Sequence, residues 1–104
     1  MKPNGHDLYF IQSDLTGDIK IGRTKDVQTR IAQLQTACPH KLRVIHLFEA
    51  MGWREPLLHR RMSSYRLRGG RGEWFDYECV GDLPDDLYEQ LDLELIDSWW
   101  RHPV

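Results

Sequence analysis

The chain predicts a small α/β fold: a mainly antiparallel three-stranded sheet flanked by helices, with an amphipathic helix at the C-terminus. Three observations carry this expectation. Tyr9-Phe10-Ile11 and Ile19-Lys20-Ile21-Gly22 are short apolar runs separated by Asp14-Leu15-Thr16-Gly17-Asp18, a polar, glycine-containing turn, which is the pattern of a β-hairpin. Past Gly22 the apolar spacing changes to Val27, Ile31 and Leu34, a helical period. Near the end, Leu87, Leu91, Leu95 and Trp99 recur every four residues in an otherwise acidic segment.

The elements follow in order. Residues 1–6 are a polar lead-in. Strands are expected at about residues 8–12 and 18–22. The first helix is expected at about residues 26–37, with Thr24 or Asp26 as its N-cap and a stop near Pro39, because a residue before proline avoids the helical region. Residues 42–48 are rich in Leu, Val and Ile and read as a third strand. Gly52 breaks that run, and a second helix is expected at about residues 54–67, with Pro56 tolerated in its first turn. Residues 68–72 form a basic, glycine-rich loop before a short extended piece at 73–77, where Trp74 and Phe75 close the core. Residues 84–100 complete the chain as the amphipathic helix.

At 104 residues the chain is long enough for one domain with a modest core. No apolar run approaches the roughly 20 residues needed to cross a bilayer, and the N-terminus lacks a signal-peptide core. Cys38 and Cys79 lie far apart and show no zinc spacing, which suits a reducing compartment. The expected location is cytoplasmic, with no membrane partner. The net charge of −2 conceals an asymmetry. Residues 1–74 carry 13 Lys and Arg against 7 Asp and Glu, whereas residues 75–104 carry Arg101 against 9 Asp and Glu. A basic module with an acidic appendix is suited to meeting nucleic acid through its basic part.

Tyr9 on the first strand, Lys20 on the second and Arg30 on the first helix could converge on one surface, a set suited to a phosphate. Positive charge beside a phenol stabilises the phenolate, so Tyr9 could serve as a general base. Guanidinium offers a permanent charge and a planar fork of donors that suit a phosphate. Glu55 and His59 stand one helical turn apart on a shared face. Arg23 could assist as a backbone-phosphate contact. Arg60, Arg61, Arg66, Arg68 and Arg71 form a basic cluster that could track phosphates without reading sequence. Each residue also has a plain reading: a half-buried strand tyrosine, solvated lysine and arginine side chains, and a first-turn glutamate favoured by the helix dipole. Nothing in the chain resembles a base-reading helix or a zinc finger.

The layout resembles the GIY-YIG nuclease superfamily over roughly residues 8–76. Leu8-Tyr9-Phe10 stands where that family has Gly-Ile-Tyr, and Lys20-Ile21-Gly22, within Ile19-Lys20-Ile21-Gly22, stands where it has Tyr-Ile-Gly. Arg30 falls at the family's arginine spacing. Glu55-Pro56-Leu57-Leu58-His59 and Gly72-Glu73-Trp74-Phe75 look like the acidic helix and closing motif of a phage- and bacterium-borne branch. Two departures stand out: Lys20 replaces the second tyrosine, and Leu34 occupies a turn where some homing members have histidine. The resemblance implies a metal-dependent endonuclease acting on DNA, with RNA left open, and nicking as a monomer. Tyr9 would activate water, Lys20 would tune it, Arg30 would stabilise the transition state, and His59 would contact water or substrate. Glu55, a better match than Glu73, would hold Mg2+ or Mn2+. The alternative is a catalytically weak nucleic-acid-binding module of the same fold. On this reading residues 1–78 form the nuclease domain. Residues 79–104 are an acidic helical extension packed on it, and a homodimer through that helix is the competing arrangement.

Overall fold

The computed structural model describes residues 5–67 and 74–101. Its centre is a four-stranded antiparallel sheet in the order β3-β1-β2-β4, formed by β1 (Asp7–Ser13), β2 (Ile19–Thr24), β3 (Leu42–Phe48) and β4 (Trp74–Phe75). The expected hairpin sets the register: Tyr9 pairs with Gly22 and Ile11 with Lys20. β4 adds a fourth strand of two residues to the three expected, pairing Phe75 with Ile19 and Trp74 with Lys20.

Alternation along the strands builds two layers. Leu8, Phe10, Ile19 and Ile21 face a main core that includes Leu58, Phe75, Leu87 and Ile96. Tyr9, Ile11 and Leu42 face the other way, covered by Val27, Ile31 and Leu34 of α1 (Val27–Thr36). Of the two proposed caps for α1, Asp26 is the one used: its carboxylate accepts from the amides of Gln28 and Thr29.

The second helix is shorter than expected. α2 spans Glu55–Arg61, between single 3-10 turns at Gly52–Arg54 and Ser63–Tyr65, and Pro56 sits in its first turn. The helix ends early because the chain must extend to meet the sheet. Arg66 bridges Phe75, and the Leu67 amide donates to the Trp74 carbonyl at 3.0 Å. The basic loop that follows, with Arg68 and Arg71, and Glu73 lie outside the described residues.

A C-terminal helix is present, but it is not continuous. α3 (Asp85–Tyr88) and α4 (Leu93–Asp97) are separated by Asp92, which is extended and caps α4 by accepting from the Leu95 amide. This break turns Ile96, rather than Leu95, into the core beside Leu87 and Leu91. Docking is completed by a polar network. Arg43 donates to the Leu95 carbonyl at 2.7 Å, the Ser98 hydroxyl at 2.9 Å and Gln12 Oε1 at 2.9 Å, while Gln12 Nε2 donates to the Ile96 carbonyl at 2.9 Å. The Trp99 indole lies over Gly17 of the β1–β2 turn, where φ is +80° and a Cβ would stand 2.3 Å from the ring. No helix among the described residues is long and apolar enough to cross a membrane.

Candidate functional site

Tyr9 and Arg30 meet. Tyr9 points from β1 toward α1, and the Arg30 Nε donates to its hydroxyl at 3.4 Å. The ring lies across β2 at Gly22, where an added Cβ would stand 2.3 Å from the Tyr9 oxygen and 2.4 Å from Cζ. Glycine is therefore required at position 22 by the phenol ring above it. Arg30 is held in place from the start of its helix. Thr24 and Asp26 form the turn out of β2, and the Asp26 cap fixes the first turn of α1 just before the arginine. The Thr29 hydroxyl and amide, with the Gln28 amide, hold the Asp26 carboxyl below the usual aspartate range.

Lys20 shares this face, one pleat from Gly22, and its ammonium lies 5.9 Å from the centre of the Trp74 ring. Phenol, guanidinium and ammonium thus occupy one side of β1, β2 and α1. They are well shielded: Tyr9 is 2 % exposed and Lys20 7 %, while Arg30 is half-buried.

Glu55 and His59 approach the sheet differently. Leu58, between them on α2, enters the main core. The His59 Nε2 donates to the Ile21 carbonyl at 2.7 Å, and its ring meets Phe75 edge-on. That bond requires a proton on Nε2 and leaves Nδ1 as the acceptor of the neutral ring. β2 therefore carries Lys20 and Gly22 toward Tyr9 and α1, and anchors α2 through Ile21. Glu55 is half-buried in the first turn of α2 and makes no side-chain hydrogen bond or ion pair with another described residue. Among the described residues, no three His, Cys, Asp or Glu side chains cluster as a metal cage. Arg23 and Arg60 are exposed, and the exposed Arg61 donates from Nε to the Asp82 carbonyl at 2.6 Å. Arg68 and Arg71 lie outside the described residues.

Sequence reasoning did not single out a cavity of about 190 Å³ on the same face, lined by Ser13, Thr16, Asp18, Cys38, His40 and Trp74. Burial raises the Asp18 carboxyl above its usual range, opposed by the Thr16 hydroxyl and reinforced by the charge of Asp76. The signal was present in the strand alternation, which puts Asp18 on the side of Lys20. Cys79 has no part in the chemistry: burial, with the Asp76 charge, pushes its thiol up to about 12, so it stays protonated and inert.

A buried phenol that accepts a hydrogen bond from Arg30, with Lys20 on the same face, brings together groups whose chemistry suits an anion and a proton. The chain belongs to the T5orf172 domain family, whose family model matches residues 7–100 and so runs through the C-terminal segment as well. No curated protein and no solved structure gives a significant match.

Proposed function

We propose that this protein is a metal-dependent endonuclease that hydrolyses DNA phosphodiester bonds through a site of the GIY-YIG type. The observation that carries the reading is the 3.4 Å contact between the Arg30 Nε and the Tyr9 hydroxyl, on the face that also bears Lys20. The T5orf172 family is associated with phage-type nuclease domains, which supports the same reading.

Phosphodiester hydrolysis needs an acceptor for the proton of water and fixed positive charge where negative charge grows on phosphorus. Tyr9 takes the first role. The half-buried Arg30, bonded to the Tyr9 hydroxyl, is the group that would reach the phosphate, with Lys20 on the same face. Glu55 would hold Mg2+ or Mn2+: a single hard carboxylate, uncommitted to other described residues, leaves the remaining positions to water and substrate oxygens, as these ions prefer. Such an ion, when bound, polarises the phosphoryl oxygen and neutralises developing charge. His59 fixes the helix that bears Glu55 and offers Nδ1 toward solvent or substrate. The exposed Arg23 and Arg60 would serve as backbone-phosphate contacts.

Incubation with supercoiled plasmid in Mg2+, Mn2+ or EDTA tests the reading. Nicking is expected with either ion and not with EDTA. Glu55→Gln should abolish it with DNA binding intact, and Arg30→Ala should cost about 10² to 10³ in rate, poorly recovered by lysine. Nicking by Glu55→Gln at the wild-type rate refutes the glutamate's role. The burial of Tyr9 and Lys20 favours a second reading, a binding module of the same fold, which predicts DNA binding without nicking under any of these conditions.

A further inference from the structure

Asp18, Lys20 and Gly22 form one row along the β2 segment and its turn, because alternate residues of an extended chain share a face, about 6.8 Å per step. Tyr9 lies over Gly22, the Lys20 ammonium lies over Trp74, and Asp18 and Trp74 both line the cavity of about 190 Å³. The cavity is therefore the next station along the row from the phosphate-handling groups. At roughly 30 Å³ per water it holds about six, room for one small planar ring system. Its lining combines the Trp74 indole, the Ser13 and Thr16 hydroxyls, the Asp18 carboxylate and His40.

The charge pattern selects the occupant. With Asp18 in the wall and Asp76 close enough to act on it, the cavity repels a phosphate. A neutral ring bearing an amino group suits it: the ring stacks on the indole, and the carboxylate accepts from the exocyclic N–H, as it does from cytosine N4. A base inside a duplex has its faces stacked and its pairing edge engaged, so only an extruded or single-stranded base can enter. We propose that this cavity binds one unpaired, amino-bearing nucleobase, cytosine being the smallest, of the strand whose phosphate lies at Arg30. This rests on the nuclease reading of the site and extends it: the substrate is single-stranded or locally opened DNA.

The test is fluorescence anisotropy on the full chain in EDTA, where no cleavage intervenes, with labelled oligodeoxycytidylate, oligothymidylate and an abasic strand of equal length. The cytosine strand should bind about ten-fold tighter than the abasic one. Trp74→Ala should lose that ten-fold on the cytosine strand and leave the abasic strand unchanged, while Trp74→Phe keeps most of it. Asp18→Asn should erase the preference for cytosine over thymine, since an amide serves either base, and it decides the matter should Trp74→Ala fail to fold. Equal binding of abasic and cytosine strands, or equal weakening of both by Trp74→Ala, overturns the proposal. Base preference in EDTA without plasmid nicking in Mg2+ upholds the cavity and sinks the nuclease reading. Nicking without base preference does the reverse.

Discussion

Gly22 is the residue on which the candidate site is most sensitive to a single methyl group. A Cβ there would meet the Tyr9 oxygen at 2.3 Å, and the ring, nine-tenths or more buried, has nowhere to swing without leaving Arg30. Overpacking of this kind costs about 1–3 kcal/mol, so Gly22→Ala should lower the melting temperature by several degrees. It should also cut nicking by about 10², the usual cost of a misplacement near 1 Å. A variant that melts lower yet nicks normally would separate the glycine from the chemistry. At this scale the sequence was legible where one strand or one turn decides the outcome. That Tyr9 and Lys20 share a face follows from pleat alternation and the hairpin register. The bond from His59 to the Ile21 carbonyl was not readable, because it joins residues 38 apart through the packing of α2 on the sheet. Asp18 was missed for a different reason: it stands where turn passes into strand, a place where a carboxylate is expected for local hydrogen bonding, so the alternation that sets it on the side of Lys20 went unused.

Among the elements, α1 depends most on its cap, since no residue of that helix is fully buried. The folded Asp26 carboxyl titrates below the ordinary aspartate value of about 4, so its contribution is complete above that value and lost as pH falls through the lower folded one. Asp86, held down by Arg54, acts with the same sign. Asp26→Ala should therefore lower the melting temperature at neutral pH, and the gap from wild type should close between about pH 5 and pH 2; a gap constant with pH contradicts the cap. The C-terminal elements depend on burial instead. Ending the chain at Gly81 removes Leu83, Leu87, Leu91 and Ile96 from the core. At about 1.5–3 kcal/mol each, their loss rivals a whole domain's stability of about 5–15 kcal/mol, so the shortened chain should lack cooperative melting. A well-folded truncation would show that the tail is dispensable. The hairpin, α1 and β3 were legible because local period and turn chemistry agree with tertiary position. The ends of α2 and the division of the tail were not. Both are set by long-range partners: β4 draws Arg66 and Leu67 into extension, and Arg43 with Gln12 fixes where α4 must present its carbonyls.

At the scale of the whole molecule, the two oppositely charged parts are folded against each other. Arg54 pairs with Asp86, and Arg61 bonds the Asp82 carbonyl, so acidic C-terminal residues occupy part of the basic surface around α2. Arg23 and Arg30, on the side of α1 and the end of β2, take part in neither contact. Leu87, Leu91 and Ile96 of the tail are buried in the chain's own core, while Tyr88 and Leu93 stay exposed. With Leu87 and Leu91 of the apolar stripe used in this way, the chain should run in solution at its own mass of 12.4 kDa. On the proposed nuclease reading, one chain brings one set of Tyr9, Arg30, Lys20 and Glu55 and would break one strand at a time. Supercoiled plasmid should convert first to open circles, at a rate proportional to protein concentration, with linear DNA appearing only later from independent second nicks. Light scattering and gel time courses measure both quantities. Linear product without an open-circle intermediate, or a rate rising with the square of protein concentration, would mean that two chains act together, and the single-site reading would fail.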